Sequence, residues 1–133
     1  MTTHSTPSYV VQLESSFDFG TTVERITQAL ASRGITIFAE IDQAAAAEKA
    51  GVSLRPTRLI LFGNPKGGTP IMAAHPHAAL ELPLKVVIWQ EGAKPVCVDY
   101  LDPGTVLNER YGVDPALTSG FKQITQLLAH AIE

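Results

Sequence analysis

The chain has 133 residues, 45% of them hydrophobic, with 10 Lys and Arg against 13 Asp and Glu. That is the size of one compact domain, long enough to bury a core without a metal or disulfide staple. A net charge of -3 argues against an electrostatic nucleic-acid binder, and one cysteine excludes an internal disulfide. No stretch reaches the roughly 20 apolar residues of a transmembrane helix.

Residues 1–7 are polar and lack the layout of a signal peptide, so a flexible N-terminus is expected there, ahead of a single α+β domain over residues 8–133. A cytoplasmic location is the default. Residues 8–15 read as a strand with Tyr9, Val11 and Leu13 on one face. Thr21-Thr-Val-Glu24 has capping-box spacing and predicts a helix from Thr21, with Val23, Ile26 and Leu30 as its apolar stripe and Gly34 beyond its end. Residues 35–42 alternate as a strand that sends Ile35, Ile37, Ala39 and Ile41 one way and Thr36, Phe38, Glu40 and Asp42 the other. A short Ala-rich helix over residues 44–50 follows, with Asp42 or Gln43 at its entry.

Residues 57–63 form a third strand whose run Leu59-Ile-Leu-Phe62 predicts cover on both faces. Asn64-Pro-Lys-Gly-Gly68 reads as a loop, and Thr69-Pro70 as a helix start that must end before Pro76. Residues 85–91 and 94–100 predict a hairpin, with Pro95 placing its second strand at an edge or a bulge. Asp102-Pro103 and Asp114-Pro115 open two more helices; Gly112 closes the first, and Leu117, Phe121, Ile124, Leu128 and Ala131 form the stripe of the second. Five strands with helices between and after them predict an α+β two-layer sandwich, with a mainly antiparallel five-stranded sheet and helices on one face.

Taken together, Ile41-Asp42, Leu54-Arg-Pro-Thr57, Leu61-Phe-Gly-Asn-Pro-Lys-Gly-Gly-Thr-Pro70, Leu82-Pro-Leu-Lys85, Tyr100-Leu-Asp-Pro103 and Arg110-Tyr111-Gly112 form a distinctive set. In order and spacing, from about Thr21 to Gly112, the chain resembles the family called domain of unknown function 302. The resemblance implies a β-α-β4-α sandwich similar to the TATA-binding-protein-like group, often seen as a homodimer, with no assigned reaction, substrate or cofactor. It transfers no DNA-binding function, because function resides in sites and not in folds. Where many members have Ile-Asp-His, this chain has Ile41-Asp42-Gln43, which puts in doubt a proton-transfer role for that histidine.

The leading candidate site is the 63–69 segment, in which Gly63, Asn64, Lys66, Gly67, Gly68 and Thr69 leave a strand for a helix N-terminus able to hold a small anion. Its order differs from a P-loop, and glycines serving tight turns are the plainer explanation. Lys85 adds a cation if its strand pairs beside residues 57–63, although a lysine with its head in water is more usual. Glu40 and Asp42 share a strand face and offer an acid/base pair, against the role of Asp42 as a helix cap. Tyr100 and Trp89 suit a pocket or the core equally. His75 and His77 flank Pro76 with no third ligand nearby, so no metal is expected, and no cofactor fingerprint is present. Cys97 reads as an apolar side chain.

These features favour a module that binds a small anion or a partner. The alternatives are an enzyme acting on a carbonyl or phosphoryl group through Lys85 or Lys66, with Asp42 or Glu40 as acid/base, and a purely structural dimerisation protein.

Overall fold

The computed structural model describes residues 7–133. The flexible segment expected at residues 1–7 therefore lies, apart from Pro7, outside the described residues. Pro7 itself accepts the amide of Val10 at 2.9 Å.

Five strands make one antiparallel sheet: β1 (Val10–Glu14), β2 (Thr36–Asp42), β3 (Thr57–Gly63), β4 (Leu84–Trp89) and β5 (Cys97–Leu101), in the order β1-β5-β4-β3-β2. Period-two alternation sends Ile60 and Phe62 of β3, Val86 and Ile88 of β4, and Val98 and Tyr100 of β5 to one face. Against that face lie α1 (Phe19–Ser32) and the C-terminal helix α6 (Lys122–Ala131), which also contact each other. Their stripes supply Val23, Ile26 and Leu30 from α1 and Leu128 and Ala131 from α6. Ile26, Leu30 and Leu128 are wholly buried, and each such side chain contributes roughly 1.5–3 kcal/mol through the hydrophobic effect. The result is the two-layer α+β sandwich expected from the strand and helix pattern.

Four further α-helices lie among the described residues: α2 (Gln43–Lys49), α3 (Pro65–Ala74), α4 (Pro103–Tyr111) and α5 (Pro115–Thr118). A second cluster joins Ile71 of α3, Ala78 of the 3-10 turn over Pro76–Leu80, Leu107 of α4 and Val113 beyond it, and Leu82 and Phe121 pack against both this cluster and the main core. Gly112, at a φ of 66°, ends α4 in the left-handed conformation that glycine adopts without steric cost.

Several local expectations are corrected by backbone hydrogen bonding. Helix α1 begins at Phe19, because Asp18 accepts the Thr21 amide at 2.7 Å and takes the capping role ahead of Thr21. A bulge in β2 between Ile37 and Ala39 breaks the alternation. Ile37 pairs with Phe62 toward the core, whereas Ala39 and Ile41 pair with Leu61 and Leu59 on the other face. That other face of β3 is only half-buried, so the apolar run of β3 is not covered on both sides. Strand β5 lies inside the sheet; Pro95 precedes it and so removes no ladder donor. The final helix breaks into α5, a 3-10 turn over Ser119–Phe121, and α6, and Leu117 stays 40% exposed instead of joining the stripe.

Candidate functional site

Strand β3 delivers Gly63 to the end of the sheet, and Asn64 turns the chain directly into α3. The Asn64 side chain accepts the amide of Lys66 at 3.0 Å, and its carbonyl accepts the amides of Gly67 and Gly68 at 2.9 and 3.0 Å. Proline at the first helical position fits there, because its missing N–H is one a helix start leaves unpaired anyway. The helix thus begins at Pro65, five positions before Pro70, which sits inside it. None of Gly63, Gly67 and Gly68 has a positive φ, so the turn requirement does not explain them.

Gly63 and Gly68 instead present bare backbone to a hollow. With Asn64, Pro65 and Thr69 they line a cavity of about 210 Å³, completed by Phe38, Met72, Leu82, Pro83, Leu84 and Phe121. A β-carbon on Gly68 would stand 3.8 Å from Leu82 Cδ1 and 3.9 Å from Met72 Cε, inside this hollow. Glycine within a helix costs about 1 kcal/mol relative to alanine, and here that cost coincides with open space beside the backbone. A second cavity of about 290 Å³ adjoins the first, sharing Gly63, Asn64, Leu84 and Phe121 with it. Gly67 lines this second cavity, as do Arg33 and Gln123. No charged side chain lines the first cavity, and Arg33 is the one ionised group lining the second.

The remaining candidates do not converge on this place. Lys66 is exposed and lines neither cavity. Lys85 pairs with Leu61 across the sheet, donates to the Pro83 carbonyl at 3.4 Å, and borders a separate small hollow with Glu81. The structure thus gives no doubly cationic pocket. Glu40 and Asp42 lie together as expected, but both face Arg58, at 2.6 and 3.4 Å, near the far end of β3. Five residue steps along the strand, about 16 Å, separate Arg58 from Gly63. Asp42 also caps α2 by accepting the Ala45 amide at 2.9 Å. Because Asp42 pairs with Arg58 and Lys85 with Leu61, the two lie on opposite sheet faces and cannot share a substrate.

Tyr100 is 4% exposed within the core, and burial pushes its phenol up while neighbouring Thr125 opposes the shift. Burial raises the Cys97 thiol too, followed by the charges of Asp99 and Glu14, so it is no thiolate nucleophile. Trp89 donates its indole N–H to Asp99 at 2.8 Å. His75 ends α3 and His77 lies in the following 3-10 turn. Among the described residues no three His, Cys, Asp or Glu side chains gather around a point that a metal ion would fill.

Sequence reasoning missed Arg33, Phe38, Met72, Leu82 and Phe121, which supply much of the wall and the one charge of the paired cavities. The signal for Phe38 is a large apolar residue on the polar face of an alternating strand. A bulge turns that position toward the cavity.

Comparison with known proteins places this geometry in context. The chain is 36% identical over 96 residues to proteins named fluoride-specific ion channel FluC 1 in Brucella suis and in Brucella abortus. That match takes in 72% of this chain but only 38% and 36% of theirs, so the chain spans well under half the length of these relatives. Among the described residues, no helix is long and apolar enough to cross a membrane. The crystal structure of an uncharacterised conserved protein from Bacillus stearothermophilus superposes with a TM-score of 0.78 at 19% identity, covering 95% of this chain and 97% of that one, which shows the shared fold. The model of the family described as domain of unknown function DUF302 matches residues 11–133, and with this sheet order and the Gly-Asn-Pro-Lys motif in place the chain belongs to that family.

Proposed function

We propose that this protein is a binding module that holds a small anionic ligand at the 63–69 segment. One observation carries the reading: Gly63, Asn64, Pro65, Gly68 and Thr69 all line one concave cavity, and two of them are glycines where no backbone angle demands glycine. Concave sites with a few polar groups are the usual form of small-ligand sites. The segment contributes the Asn64 amide and the Thr69 hydroxyl and no carboxylate. The name of the Brucella relatives gives fluoride a place among the anions to test. Thermal unfolding of the full chain is followed with fluoride, phosphate and acetate, in the wild type and in Gly68→Leu, which fills the cavity. A ligand-dependent rise in Tm that Gly68→Leu abolishes supports the reading; equal shifts in both proteins refute it.

A second reading, homodimerisation, is favoured by the sheet face turned away from α1 and α6. There Leu59, Leu61, Val87 and Trp89 are half-buried, while Ile41 and Leu101 are exposed at 40% and 37%. Two such faces packed about 10 Å apart would bury a shared apolar layer, and a standard interface takes roughly 800 Å² from each partner. Sedimentation equilibrium tests it: a dimer that Leu61→Glu dissociates is expected, and a wild type monomeric at every concentration refutes it.

A further inference from the structure

We propose that the ligand is an amphipathic monocarboxylate, whose apolar body fills the cavity between Phe38, Met72, Leu82 and Phe121 and whose carboxylate is taken by Arg33; this rests on the binding reading above. The wall of the first cavity decides the body. Apart from Asn64 and Thr69 its side chains are apolar, so the bulk of this cavity suits the apolar body of a ligand whose charged end lies elsewhere. The volume, about 210 Å³, exceeds the roughly 150 Å³ of an apolar cavity that accepts benzene, so one ring or a short branched chain fits.

The adjoining cavity decides the charge. Within a chain of 13 acidic and 10 basic residues, the lining of both cavities contains one cation, Arg33, and no carboxylate. Arg33 forms no salt bridge among the described residues. Gln123 lines the same space and makes no side-chain hydrogen bond among the described residues, and Asn64 spends only its oxygen on the α3 cap, which leaves its amide N–H groups to donate. Arg33, Asn64 and Gln123 line one cavity, and a guanidinium with amide donors in the same lining suits a planar carboxylate, which accepts paired N–H bonds from arginine. Gly63, Asn64, Leu84 and Phe121 belong to the linings of both cavities, and the proposed ligand passes beside them from the first into the second. This moves the anion from Lys66, where the sequence motif points, to Arg33, which lies outside that motif.

Calorimetric titration of the full chain with phenylpropanoate, phenylpropanol and acetate tests the assignment. The expected order is phenylpropanoate tightest, phenylpropanol about tenfold weaker for want of the charged hydrogen bonds, and acetate weakest for want of a body. Arg33→Gln should weaken phenylpropanoate about tenfold and leave phenylpropanol unchanged, and Met72→Trp, which fills the first cavity, should abolish both. Arg33 is exposed, so its variant has little fold to lose. Circular dichroism on Met72→Trp, with Gly68→Leu as a second filling variant, separates a blocked cavity from a lost fold. Equal affinities for acid and alcohol, or an Arg33→Gln protein that binds the acid as the wild type does, overturn the proposal. If fluoride, phosphate or acetate shifts Tm through the 63–69 segment while phenylpropanoate does not bind, the amphipathic ligand is wrong and the anion site stands. If no probe binds, both fall.

Discussion

Phe38 lies over Gly63: a β-carbon on the glycine would stand 3.5 Å from the Phe38 ring. The contact exists because Phe38 occupies the extra position of the β2 bulge and leaves the strand's alternation. Its side chain remains 54% exposed, so it covers the cavity more than it fills the core. Phe38→Ala should therefore cost under about 1.5 kcal/mol in urea unfolding, whereas Phe62→Ala, at a residue 1% exposed, should cost about 3–5 kcal/mol. Similar costs at the two positions would mean that Phe38 is a core residue after all.

The glycines beside the cavity and at the helix end obey different rules, and alanine distinguishes them. Gly68 has a helical backbone and only ordinary contacts waiting for a β-carbon, so Gly68→Ala should stabilise the protein by about 0.5–1 kcal/mol. Gly112 has a φ of 66°, and Gly112→Ala should destabilise by about 1 kcal/mol although nothing lies within 4 Å of the new carbon. Chemical denaturation midpoints of the two variants should move in opposite directions.

The contrast between these glycines shows which features the sequence could disclose. The strand over Thr57–Gly63, the stripe of Val23, Ile26 and Leu30, and the stop at Gly112 are local, set by periodicity or by one residue's backbone freedom. The cavity is not local. Its wall joins Phe38 of β2, Met72 of α3, Leu82 before β4 and Phe121 before α6, and no sequence spacing reports that meeting. Asn64 was legible as part of a motif, but Pro70 and two glycines disguised the helix that its side chain starts. The bulge at Phe38 also escaped, because one inserted residue reverses a face without altering composition.

Trp89 and Asp99 offer a cross-strand pair whose value can be measured. The indole N–H donates to Asp99 Oδ2 at 2.8 Å, Gln12 reaches the same oxygen at 3.4 Å, and Asp99 Oδ1 is buried without a partner. Trp89→Phe leaves the carboxylate with the longer contact alone and should destabilise by about 1.5–3 kcal/mol, as for hydrogen bonds to charged groups. The double variant Trp89→Phe/Asp99→Val removes both partners and should be the more stable of the two. A double variant less stable than Trp89→Phe would show that Asp99 earns its place through some other contact.

Asp18 gives a pH dependence with a definite sign. Hydrogen bonds from the Thr21 backbone amide, and then the Thr21 side chain, hold its carboxyl below the ordinary 3.8. A group whose folded-state pKa is depressed adds stability that is fully present above its unfolded value and is lost as pH falls through the folded value. Unfolding monitored at successive pH values should therefore show part of the acid destabilisation beginning below about pH 4 and arising from this cap. Asparagine accepts the same amide hydrogen bond but does not titrate there. Asp18→Asn should keep most of the neutral-pH stability and flatten the decline below pH 4, whereas Asp18→Ala should lower stability at neutral pH as well. If Asp18→Asn declines as steeply as the wild type, the acid sensitivity does not come from this cap.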